Sequence, residues 1–192
     1  MRIMLGRSVM AIVVGFACWL LPLWNGQAQS PSNLSALKGE MNVFEAVIDG
    51  TMAQTFSPPF GLLEKTKGTY LPGFGLAFSL EVNLYPTRVL NPFDMTPLSK
   101  AELEKAQKMK LERIAIIKQS VPRLLADHAM SLRSLSADDS VAVVVYLFEL
   151  QPRDTKLPDQ LVIETRKADL NQFWDKKISY EELVGKMKVL EL

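Results

Sequence analysis

The stretch from Val141 to Leu150 reads VAVVVYLFEL. Both of its faces are apolar through Phe148, which predicts a central strand covered on each side. A chain that holds such a strand must also supply neighbours to pair with it and layers to cover it. Two other segments fit the neighbour role. From Leu76 to Leu84, Leu76, Phe78, Leu80, Val82 and Leu84 alternate with Ala77, Ser79, Glu81 and Asn83, the pattern of a strand with one buried side. Leu161 to Arg166 alternates again and is expected to pair antiparallel with the central strand.

Helical segments supply the covering layer. Leu34, Leu37, Met41, Phe44, Ile48 and Met52 recur at steps of three and four, predicting a helix over 34–55. Ser57-Pro58-Pro59 cannot continue it. A second helix starts at Ser99 and Glu102, spaced as a capping box, with Leu98 and Leu103 at the staple positions. Its stripe runs through Ala106, Ile114, Ile117, Val121 and Leu125 to Leu132 and Leu135, and Pro122 should kink or divide it near Ser120. A short amphipathic piece is expected around Leu170, Phe173 and Trp174. Ser179 and Glu182 form another capping box, flanked by Ile178 and Leu183, and the chain closes on a helical turn or a short strand. The fold class expected is α+β: a single domain over 34–192, with a small mixed or antiparallel sheet packed by a long kinked helix and an N-terminal helix. If the strands flanking the long helix are parallel neighbours, that helix is a right-handed crossover.

The first 28 residues are read apart from this domain. Arg2 and Arg7 precede an apolar run from Val9 to Trp24, and small Gly26 and Ala28 occupy the −3 and −1 places of a signal-peptidase site. This is the pattern of a secretory signal peptide cleaved after Ala28, with a disordered lead-in over 29–33. The alternative is a retained membrane anchor, although the run is short of the roughly 20 apolar residues that span a bilayer. Export to the periplasm or the extracellular space follows.

Cys18 is the single cysteine and lies in the leader, so the mature chain has no disulfide, thiolate metal site or cysteine nucleophile. A disulfide-free exported domain of this size fits a bacterial periplasm. Removing the leader leaves 20 basic against 21 acidic residues, a net charge of −1, and nothing in this balance suggests the basic surface that nucleic-acid binding needs.

No constellation in the chain specifies a reaction. Gly68 to Gly75 is glycine-rich, but it precedes a strand and is followed by no Lys-Ser or Lys-Thr, so it is read as a turn feeding Leu76–Leu84. As a binding loop it would present Tyr70, Pro72, Gly73 and Phe74. His128, the only histidine, falls on or beside the apolar stripe between Leu125 and Leu132 and is read as packed or at its boundary. Glu81, Glu149 and the pair Asp138-Asp139 are the carboxylates that a hydrolase would have to bring together. Lys105, Lys108, Lys110, Arg113, Lys118 and Arg123, interleaved with Glu102, Glu104 and Glu112, read as a solvated helix face. No cofactor or metal is implied.

The string Gly68-Thr69-Tyr70-Leu71-Pro72-Gly73-Phe74-Gly75, followed by LAFSLEVNL, resembles a segment of a group of secreted bacterial proteins. Asp154-Thr155 and Leu157-Pro158 ahead of LVIETRK resemble another segment of the same group. The resemblance implies export and bacterial origin and brings no activity with it. The reading that results is a non-enzymatic envelope protein that binds another protein or assists an assembly, touching the membrane only through an uncleaved N-terminal segment. A carboxylate-dependent periplasmic hydrolase and a small-ligand binder are the alternatives.

Overall fold

A computed structural model of the protein describes residues 31–56, 61–84, 99–148 and 157–192. The leader 1–28, with its cleavage site, lies outside the described residues, as do Leu98, Glu149, Leu150 and the Asp154-Thr155 motif. Helix α1 spans Pro31–Thr55, strand β1 Gly61–Leu71, β2 Gly75–Asn83, helix α2 Lys100–His128, β3 Ser140–Leu147, β4 Gln160–Arg166, α3 Lys167–Trp174, α4 Tyr180–Lys186 and β5 Lys188–Glu191. A single 3-10 turn, Ala129–Ser131, prolongs α2. The class is α+β. No described helix is long and apolar enough to cross a membrane.

The five strands form one mixed sheet in sequence order. β2 and β3 are parallel neighbours, so the connection between them must cross over the sheet, and α2 lies on that path. The other neighbours are antiparallel. Register places Gly68, Phe78, Val143, Ile163 and Val189 in one row across the sheet. The face carrying this row is the core face: Leu76, Phe78, Leu80, Val82, Val141, Val143, Val145, Leu161 and Ile163 are all buried there. The alternation from Leu76 to Leu84 therefore sets the orientation of β2 correctly.

The helices cover that face. Leu37, Phe44, Ile48 and Met52 of α1 are buried, and the Phe44 and Phe78 rings meet at 4.9 Å between centroids. Leu34, expected on the same stripe, is exposed. α1 also starts earlier than expected: Pro31–Asn33 continue the helix, with Pro31 at a first-turn position where its missing N–H costs no bond. In α2 the Ser99–Glu102 capping box is formed in both directions, and Ile114, Ile117, Val121 and Leu125 are buried. The helix is not divided at Pro122; it runs on to His128. The capping box of Ser179 and Glu182 opens α4 as read from the sequence.

The segment Gly68–Gly75, expected as a turn, is a turn only from Pro72 to Phe74; Gly68–Leu71 are the end of strand β1. Its residues Leu63, Glu64, Lys65 and Lys67 are exposed, and the β1–β2 register shifts twice, between Leu62 and Glu64 and between Glu64 and Lys67. Such irregular, lysine-bearing edges resist pairing with another chain. α1 compensates for the irregular ladder with carboxylates. Asp49 Oδ1 accepts from the Thr66 amide at 2.9 Å and from its hydroxyl at 2.7 Å, and Glu45 Oε1 accepts from the Gly68 amide at 2.7 Å. Glu40 does the same for Ser134, accepting from its amide and hydroxyl at 2.9 and 3.0 Å.

The expectation that the central strand is covered on both faces needs correction. β3 is central, but only its core face is covered throughout. On the other side Ala142 is buried, Val144 is half-buried, and Tyr146 and Phe148 are exposed, because the helices pack on one face.

Candidate functional site

The sequence-derived candidates separate in space. The Leu71 carbonyl accepts from the Phe74 amide at 3.0 Å, with Pro72 and Gly73 between them and Gly73 at φ +81. This is a type II turn, which favours Pro at its second position and requires a positive φ at its third. Pro72 and Gly73 are exposed on it, whereas Tyr70 packs against the core and Phe74 is half-buried. Gly75, at φ +122, lies so close to Ser140 that a Cβ would overlap the Ser140 carbonyl oxygen. Both glycines are thus explained by backbone geometry, and of the four candidate residues only Pro72 and Gly73 are fully presented.

His128 is exposed at the last residue of α2 and not packed on the stripe, because the turn past Leu125 carries it outward. The basic face of α2 also needs correction. Lys105 and Lys108 are solvated, but Lys110 is completely buried, and Arg113 reaches inward to donate to the Leu84 carbonyl at 3.1 Å. Lys118 pairs with Glu191 of β5, and Arg123 with Asp127.

Among the carboxylates, Asp139 Oδ2 accepts from the Ser136 amide at 2.9 Å and Asp138 is exposed in the same turn. Glu81 lies on the open face of β2, opposite Glu64 of β1. Among the described residues no group of three or more His, Cys, Asp or Glu could hold a metal ion.

A surface emerges on the sheet face opposite the helices. Register places Ser79, Val144, Val162 and Leu190 in one row, and Glu64, Glu81, Tyr146 and Gln160 in the next. Tyr146 is 47% exposed and Leu190 51%, and Phe148 and Leu192 are exposed at the same end. Val144 and Val162 are half-buried between them. These six apolar side chains make one uncovered area on a regular backbone, a feature that soluble proteins seldom leave without a purpose. At its border Glu64 is paired by Lys67 Nζ at 2.7 Å, and no cation pairs with Glu81 among the described residues. The area therefore combines an apolar centre with two carboxylates at its edge, Glu64 paired with Lys67 and Glu81 without a cation among the described residues. Sequence reading missed it because Val144, Tyr146 and Phe148 read as a covered face; only the topology shows that no helix among the described residues lies there. No family model, curated protein or solved structure matches the chain.

Proposed function

We propose that this is an exported envelope protein, without catalytic activity, that binds another protein through the open face of its sheet. The observation that carries the reading is the area formed by Tyr146, Phe148 and Leu190 around Val144 and Val162, on a face that the described helices leave uncovered. Aromatic side chains standing on a rigid backbone are the usual anchors of protein interfaces. Glu81 at the border selects a partner whose apolar surface is flanked by a lysine or arginine, since charge opposite a rim carboxylate sets orientation more than strength. The N-terminal pattern of Arg2, Arg7, the run Val9–Trp24 and Ala28 supports export. The likeness of the Gly68–Gly75 string to secreted bacterial proteins agrees with it.

The test is capture from a cell envelope after mild crosslinking, comparing the natural chain with Tyr146→Ser combined with Leu190→Ser, and sequencing the N-terminus of the captured protein. A single partner retained by the natural chain and reduced at least tenfold by the double substitution, about the effect of one hot-spot residue, supports the reading. Equal capture by both chains contradicts it, and an N-terminus ahead of Gln29 contradicts cleavage after Ala28.

A further inference from the structure

Among the described residues the sheet ends on β1 at one side and on β5 at the other. The two edges are built differently. β1 carries exposed lysines and two register shifts, which keep another strand from pairing with it. β5 has neither a proline nor a bulge: Leu161, Val162, Ile163 and Glu164 of β4 meet Glu191, Leu190, Val189 and Lys188 in unbroken register. Its two charges are engaged within the chain. Lys188 reaches back to Glu164 at 3.3 Å, and Glu191 pairs with Lys118 of α2. Neither charge is left to guard the edge, while Val189 is 40% and Leu190 51% exposed.

The polar groups of this edge alternate. Leu192 and Gln160 exchange both backbone hydrogen bonds, at 3.0 and 3.3 Å. In an antiparallel ladder such pairs recur at every second residue, so Leu190 and Lys188 also turn their N–H and C=O groups to β4. Val189 and Glu191 turn theirs outward. The next amide back, that of Met187, donates to the Val184 carbonyl and is already committed. The edge offers the donor and acceptor of Val189 and, one pleat on, those of Glu191.

This pattern complements itself. We infer that β5 pairs antiparallel with β5 of a second copy about a two-fold axis at Leu190, joining two five-stranded sheets edge to edge. In this register Val189 exchanges both backbone bonds with Glu191 of the second copy, and Glu191 with its Val189, so every outward group is satisfied. A pairing centred on Val189 or on Glu191 would leave the amide of Glu191 or Val189 without that exchange. The side chains agree with the register. Leu190 meets Leu190, and the open-face row Val144, Val162, Leu190 continues into the same row of the second copy. Lys188 faces Leu192 and Val189 faces Glu191, so no like charges oppose each other. Pairing consumes the unguarded edge of each copy and leaves only the two guarded β1 edges, so association stops at two. The inference goes beyond the protein-binding reading and does not depend on it: Val189 serves the edge alone and Tyr146 the open face alone.

The experiment is analytical ultracentrifugation of protein purified from cells expressing the full chain, from about 10 μM to about 1 mM, the range expected of so small a contact. Expected is a reversible monomer–dimer equilibrium with no larger species. Val189→Pro removes an outward N–H and none that bonds β4, so it should weaken association about tenfold or more with an unchanged urea midpoint. Tyr146→Ser should leave association as it is. Cysteines read the register, in a Cys18→Ser background. Leu190→Cys should oxidise to a covalent dimer, because the Cα atoms of such a non-bonded pair lie about 4.5 Å apart. Lys188→Cys, displaced about 13 Å along the strand from its own copy, should not. A monomer at every concentration, a dimer indifferent to Val189→Pro or lost in Tyr146→Ser, or bridging at 188 as ready as at 190 overturns the inference.

Discussion

At Gly75 the backbone of β2 runs against Ser140 of β3, and at Lys176 it enters the left-handed region with a side chain attached. The two positions predict opposite responses to substitution. Gly75→Ala must push two paired strands apart as well as strain φ, and should destabilise by about 3 kcal/mol or more. Gly73→Ala has open space around it and should cost only about 1 kcal/mol. Lys176→Gly should stabilise by about 0.5–1 kcal/mol. Urea unfolding of the three variants checks this order. The glycines were legible in the sequence, since Pro72-Gly73 announces a turn. Lys176 was not, because nothing in Asp175-Lys176-Lys177 signals a positive φ.

Lys167 gives a pH dependence. It is 5% exposed, donates to the Ala129 carbonyl at 3.0 Å and so caps the end of α2. Burial lowers its pKa from 10.5 to about 8, and the charge of Glu40 opposes the shift. Between those two values the unfolded chain holds a proton that the folded chain has released, so stability rises with pH. Allowing for solvent screening, the gain from about pH 7.5 to about pH 9.5 is about 1–2 kcal/mol. Above about pH 10 the trend reverses at Tyr180, whose pKa burial raises, because the folded chain then keeps a phenolic proton that the unfolded chain loses. Denaturation midpoints across this range should rise and then fall, and Lys167→Met should remove the rise.

At the scale of elements, α2, β2 and α4 were readable because each carries its own local signal: a capping box, a strict alternation, a second capping box. β1 was not. Its ladder is broken by two register shifts and its alternation is interrupted by Glu64, Lys65 and Lys67, so no period of two survives in the sequence. What holds it in place is distant in sequence: Asp49 and Glu45 of α1 accept from the Thr66 and Gly68 amides. Asp49→Ala should then destabilise by about 1–3 kcal/mol, the cost of stranding a part-buried donor. Amide hydrogen exchange should quicken at Thr66 and Gly68 while β3 stays protected. Uniform quickening across the sheet would show that Asp49 acts on the whole fold.

For the whole molecule, the α+β class and the pairing of β3 with β4 followed from the apolar patterns. The exposure of one sheet face did not, because a run such as VAVVVYLF has the same appearance whether its second side meets a helix in the same chain or a surface on another protein. Tyr146 and Leu190 are half exposed and contribute little to the core, so Tyr146→Ser with Leu190→Ser should change stability by less than about 1 kcal/mol. The most direct measurement is site-specific photocrosslinking in cells, with the reactive side chain placed at 146, at 190 and, on the helical side, at exposed Lys38. The account predicts one discrete crosslinked protein from 146 and 190 and none from 38. Crosslinking from 38 alone, or from none of the three, would contradict it.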